Sequence, residues 1–207
     1  MYNIQHTVTP NNGMLEVKLE CIRPDMEIHY TTDGSEPTAT SPLYEKIVPV
    51  KEALTLKGAT FAHGRQMGKT LILPVRWNLA TAKPVLGTNP AEKLLTNGIR
   101  GSLKYSDFEW CSWADNDSVS FTIDLLKPEV LNTLILGCIT NNGMAIHKPA
   151  SVRVEVSDDN SKFREAVVQS FTSEEIFREG NFIENLSLKL GGTQARYVPV
   201  SYTHLRA

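Results

Sequence analysis

The chain reads as all-β, with a small antiparallel β-sandwich first and a second β-rich part after it. Three observations carry this. Apolar residues alternate with polar ones at a period of two in several stretches. No segment of the first third shows a convincing 3.6-residue apolar period. Proline and glycine punctuate the apolar runs every few residues, as short strands and turns require. The 207 residues suffice for one large or two modest domains.

Leu15, Val17, Leu19 and Cys21 alternate with Glu16, Lys18 and Glu20 and predict the clearest strand. After a turn at Arg23-Pro24-Asp25, Glu27–Thr31 predicts another, with Ile28 and Tyr30 on one face and Glu27, His29 and Thr31 on the other. Asp33-Gly34 supplies the positive-φ residues of a hairpin turn, and Pro37 ends the ladder. Pro42-Leu43-Tyr44 and Ile47–Val50 read as edges, Leu54–Phe61 as a strand, and Leu71–Val75 as a further apolar run. Such strands hide their apolar faces by packing sheet on sheet. Thr81-Ala82-Lys83-Pro84 is a short polar connector.

In the second part Val119, Phe121, Ile123 and Leu125 alternate with Ser118, Ser120, Thr122 and Asp124. Leu131–Ile139 reads as a strand covered on both faces. Val152, Val154 and Val156 predict a strand closed by a turn at Ser157-Asp158-Asp159-Asn160. Phe163–Phe171, Asn185–Leu190 and Ala195–Val198 follow, and Ser173 is placed to cap a single helical turn.

Composition excludes several classes. A net charge of −2 gives no electrostatic reason to expect nucleic acid. No apolar run approaches the ~20 residues of a membrane span. The 3 cysteines (Cys21, Cys111, Cys138) lack the spacing of a zinc site or a disulfide framework. The 5 histidines are scattered, with no nucleophile partner. Asp158-Asp159 is the one acid pair that tempts a hydrolytic reading, and it sits where a β-turn wants Asp and Asn.

The run Asp33-Gly34-Ser35-Glu36-Pro37-Thr38, supported by Lys57–Phe61, Gly64 and Met67-Gly68-Lys69, resembles the C-terminal β-domain of bacterial chitobiase/β-hexosaminidase enzymes of family 20. That resemblance implies a small Ig-like sandwich over residues 1–79, followed by a linker at 80–89. Leu95-Thr96-Asn97-Gly98, Trp113, Phe121–Leu125, Val152–Ser157 with Phe163, and Ala195–Val198 resemble the factor 5/8 type C (discoidin-like) domain, which overlaps the family 32 carbohydrate-binding modules. It implies a galactose-binding-like jelly roll over residues 90–198. The parent enzymes place their catalytic Asp-Glu pair in a (β/α)8 barrel of about 250 residues. No barrel fits here, so no catalytic residue is expected in this chain.

Residues 199–207 are expected to lie outside the domain. The family usually continues Ala-Arg-Tyr-Val with Arg, whereas Val200–Ala207 is what one frame of a widely used sequencing adaptor encodes. Read-through of that adaptor would leave the second domain truncated, without its closing strand and with an exposed sheet edge.

The remaining chemistry is sugar binding, which wants an aromatic face and a few fixed polar groups on loops. Trp110 and Trp113 lie in the acid-rich loop 107–117, and Asn141, Asn142 and His147 in the loop after a buried strand. Each has a competing role: Trp113 as a packing residue, His147 as partner to a loop carbonyl, Asn141 and Asn142 as turn formers. The resemblance adds structural calcium as a candidate, through Asn97 and Ser102, although Asn97 stands where the family has Asp. The expected partners are glycans containing N-acetylglucosamine or galactose, together with the catalytic barrel of a parent enzyme exported to the periplasm or cell surface. The alternatives are an adhesion module for protein or membrane surfaces and a spacer without ligand.

Overall fold

The computed structural model describes residues 2–113 and 118–204. The chain divides into two compact units. One runs to Ala82 and includes Thr96–Ile99; the other comprises Lys83–Leu95 and the residues from Arg100 onward.

The first unit opens with β1 (Ile4–Asn11) and β2 (Met14–Cys21), joined by Asn12-Gly13. Both turn residues have positive φ, which Asn-Gly tolerates better than other pairs and which matches the twist of the flanking strands. β1 was not anticipated. β3 is Glu27–Thr31, β4 Val48–Val50, β5 Leu54–Ala62, β6 Arg65–Gln66 and β7 Leu71–Val75. β1, β2 and β4 form one sheet; β3, β5, β6 and β7 form the other, with β5 pairing with all three partners. Leu15, Val17 and Leu19 face inward with Leu56, Leu73 and Val75 to make the core.

Two expectations are corrected here. β3 pairs with β5 rather than forming a hairpin through Asp33-Gly34, and only Gly34 of that pair is left-handed. Asp33 instead accepts the Ser35 N–H at 3.0 Å, an Asx turn. His29 is also buried, although Glu27 on the same face is exposed: its Nδ1 lies 2.7 Å from the Ser41 carbonyl and its ring is edge-on to Phe61. The Pro42–Tyr44 run supplies that cover, pairing along the free edge of β3.

In the second unit, β8 (Val85–Leu86) lies within the stretch expected as a linker. β9 (Ser118–Asn141), β10 (Ser151–Val156), β11 (Arg164–Ser170) and β12 (Asn181–Thr203) complete an antiparallel sheet in the order β11-β10-β12-β9-β8. β9 and β12 are long, and their register breaks at Lys189/Thr193 and Ala195/Tyr197. Such breaks are where strands of a sandwich pass from one layer to the other. Alternate residues of both arms are buried, including Phe121, Ile123, Leu186, Leu188, Val198 and Val200. Near the break Arg196 grips the Asp124 carboxylate with two bonds, at 2.8 and 2.9 Å.

Three further differences follow from register. Leu131–Ile139 is not covered on both faces, since Ile135 is 64% exposed. Helix α1 (Ser173–Ile176) is capped by Thr172 rather than Ser173, in a reciprocal box with Glu175. Pro199–Thr203 continue β12 between β9 and β10, with Val200 and Tyr202 buried, so no edge is left open there. An alternating Val-Ser-Tyr segment suits a strand whatever its origin.

Candidate functional site

Register decides where the loops go. Ser118, Ser151, Ser170 and Thr203 are cross-strand neighbours in one row, so the starts of β9 and β10 and the ends of β11 and β12 all lie at the same end of the second unit. The segment from Asn141 to Ser151 starts at Asn141, which pairs with Asn181, and so ties that row to the second arms of β9 and β12.

The loop after β9 turns tightly. Asn141 and Ile146 exchange backbone bonds at 2.9 and 3.0 Å, and Ala145 (φ 53) closes the turn on the Asn142 carbonyl. Asn142 Oδ1 accepts the Gly180 N–H at 2.5 Å. The His147 ring packs edge-on against Phe177 at 5.0 Å, and its Nδ1 is buried without a hydrogen-bond partner among the described residues. The next residue anchors the loop: Lys148 is buried, with Nζ 3.6 Å from Glu184 of β12 and 4.4 Å from the Phe171 ring centre. Asn141, Asn142 and His147 are thus brought together against the Phe177–Asn181 segment.

The loop carrying Trp110 reaches the same segment, since Asn181 Nδ2 lies 3.5 Å from the Leu103 carbonyl. Trp110 is half-buried. Its indole lies flat on Gly101, where a Cβ would overlap the ring, and its Nε1–H donates to the Ser102 carbonyl at 2.9 Å. Trp113 goes elsewhere. It stacks on Phe121 at 6.1 Å with 9° between the planes and meets Tyr202 edge-on at 5.5 Å, so it is a packing residue of the sheet. Asp115 and Asp117 of this loop lie outside the described residues.

The sequence reading missed the most exposed aromatic. Phe108 is 87% exposed in a left-handed backbone (φ 65), with Leu103, Tyr105 and Met144 also exposed on the same loops. The available signal was one aromatic between two acids, Asp107-Phe108-Glu109.

The two calcium candidates fall in different units. Asn97 is buried in the first, its Oδ1 accepting the Ile99 N–H at 2.9 Å. Ser102 is exposed in the second, its Oγ accepting the Lys104 N–H at 3.1 Å. Neither brings a carboxylate, and each oxygen already accepts a backbone proton. The pair does not fit the oxygen-rich shell of six to eight ligands that calcium takes. Among the described residues no three His, Cys, Asp or Glu side chains group as metal ligands. Asp158-Asp159 forms a turn: Asp159 Oδ1 takes the Ser161 and Lys162 N–H groups, both at 2.9 Å, at the end opposite the loops.

Residues 10–71 match the chitobiase/beta-hexosaminidase C-terminal domain family, and residues 80–205 match the F5/8 type C domain family. No curated protein matches the chain. Among solved structures, the C-terminal domain of a chitobiase from Bacteroides fragilis is 19% identical, with a TM-score of 0.30 over 43% of this chain and 53% of that one. The chain thus spans about half the length of that relative. A fucose binding module from Streptococcus pneumoniae is 18% identical, with a TM-score of 0.43 over 63% of this chain and 99% of that one. A fucolectin from striped bass (Morone saxatilis) serum is 13% identical, with a TM-score of 0.42 over 98% and 80%. The match over residues 80–205 spans more than half of the sequence, and the chain belongs to the F5/8 type C domain family, with a chitobiase/beta-hexosaminidase C-terminal domain ahead of it.

Proposed function

We propose that the second unit binds carbohydrate through its loop end, as a non-catalytic accessory part of a bacterial β-N-acetylhexosaminidase. The observation that carries this is the convergence of three segments at one end of the unit: residues 102–110, 141–148 and 177–181. They bring amide groups and an imidazole to the same end of the unit as exposed aromatics, which is what a weak sugar site needs. The parent is inferred from the match over residues 10–71. In such a protein the module keeps a catalytic barrel near its glycans by adding a second contact and raising effective concentration. The parent would be exported, to the periplasm or the cell surface.

Galactose and N-acetylglucosamine are the first ligands to try, by titration calorimetry and on a glycan array. Binding weakened by His147→Ala or Asn142→Ala supports the reading. Silence on every glycan by a folded protein overturns it.

One observation favours a second reading, a module that docks on membrane surfaces. Leu103, Tyr105, Phe108 and Met144 are exposed apolar side chains on the same end. Against an anionic bilayer stand the acids Asp107 and Glu109 on the same loop. Sedimentation with phosphatidylserine vesicles separates the two: this reading needs pelleting that sugars do not compete away.

A further inference from the structure

The loop from Gly101 to Trp110 is laced closed on one carboxylate. Asp107 Oδ2 accepts the Ser102 N–H at 2.6 Å, and Oδ1 accepts the Glu109 N–H at 3.0 Å. The Asp107 N–H itself donates to the Lys104 carbonyl at 3.0 Å. Trp110 seals the base, its face on Gly101 and its N–H on the Ser102 carbonyl. Between Asp107 and the amide of Glu109 that it grips stands Phe108, left-handed and 87% exposed.

Folding does not explain this residue. A bulky aromatic at positive φ is a strained outlier, where glycine or asparagine would sit without cost. A side chain this exposed recovers little of that strain by burial. Strain held in place by surrounding bonds at a loop tip marks binding sites, where it keeps a group ready for its ligand. The two tryptophans are poorer platforms, since one indole face of Trp110 is spent on Gly101 and Trp113 is packed against Phe121 and Tyr202.

We propose that Phe108 is the stacking platform of the glycan site and that Asp107 is the positioning residue that holds it outward. This rests on the carbohydrate-binding reading above and adds the ligand class: a neutral pyranose with one apolar face. An aromatic ring recognises the C–H face of such a sugar, and a preset ring loses little entropy on binding. The acids on either side of Phe108 in sequence repel a sugar carboxylate at short range, an effect that salt weakens.

The test is calorimetric titration of the full chain with methyl galactoside, N-acetylglucosamine and glucuronate, beside thermal unfolding. Phe108→Ala is expected to weaken neutral-sugar binding about tenfold without lowering Tm. Phe108→Trp is expected to retain binding. Phe108→Gly gives the sharpest signature, because it relieves the left-handed strain: Tm rises while binding weakens as it does in Phe108→Ala. Asp107→Ala leaves Phe108 in the chain and still weakens binding; Asp107→Asn, which keeps one acceptor oxygen, falls between. Wild-type affinity in Phe108→Ala overturns the platform while leaving the carbohydrate reading intact. Wild-type affinity in Asp107→Ala overturns the positioning role. Glucuronate bound as tightly as the neutral sugars overturns the ligand class. A folded wild-type protein that binds no sugar fails the earlier reading and this one with it.

Discussion

Replacing Trp113 by alanine separates packing from ligand contact in the acid-rich loop. The indole stacks on Phe121 at 6.1 Å and meets Tyr202 edge-on at 5.5 Å, both rings belonging to buried strand positions. Two such aromatic pairs contribute about 0.5–1.5 kcal/mol each, hence about 1–3 kcal/mol together. Trp113 is only half-buried, so the full loss of about 3–5 kcal/mol typical of truncating a large core side chain is not reached. The expected cost is about 2–4 kcal/mol, which for a unit of this size lowers Tm by about 10 °C. Urea unfolding followed by the fluorescence of Trp77 and Trp110 reports one tryptophan in each unit and assigns the loss to the second. Sugar affinity per folded molecule should change little. Unchanged stability with lost affinity would refute the packing role and make Trp113 a ligand contact.

Three other outcomes follow from the same geometry. Arg196 holds the Asp124 carboxyl below its usual range, and the amides of Lys162 and Ser161 bring Asp159 down to about 2. Carboxyls depressed by folding stabilise fully above their unfolded value of about 4 and lose that contribution as pH falls through the folded values. Urea midpoints should therefore drop on acidification from about pH 4 to pH 2, and Asp124→Asn should flatten that limb; an unchanged limb in Asp124→Asn would contradict the assignment. Gly98→Ala should cost about 2–5 kcal/mol, because Gly98 is left-handed (φ 73) and a Cβ there would lie 2.6 Å from the Arg76 carbonyl; thermal unfolding checks it. Burial pushes the Cys111 and Cys138 thiols up to about 12, so iodoacetamide at pH 8 should spare both until urea unfolds the second unit, as mass spectrometry of the alkylated peptides would show.

Strands were legible where burial is one-sided. Leu15, Val17 and Leu19 alternate in sequence because only one face of β2 meets the core. β1 escaped notice although Asn12-Gly13 is the strongest hairpin signal in the chain; Gln5, His6 and Thr7 dilute its apolar pattern. The burial of His29 was not legible, because its cover comes from Ser41–Tyr44, a segment without strand pattern. Leu131–Ile139 looked covered on both faces because apolar content alone does not say which layer a strand joins. At the site, Asn141, Asn142 and His147 were readable as residue types in one loop, and register then placed that loop at a shared end. The exposure of Phe108 was not, since its left-handed backbone occurs in a loop that Asp107 closes on the Ser102 and Glu109 amides, contacts that the residue types alone do not reveal.

Carbohydrate binding at the loop end is tested most directly by amide chemical-shift mapping during a titration with methyl galactoside or N-acetylglucosamine. Shifts should gather on residues 102–110, 141–148 and 177–181 and leave the Ser157–Arg164 turn at the opposite end unmoved. Sugar-dependent shifts confined to that opposite turn, or none on any segment of a folded protein, would contradict the account.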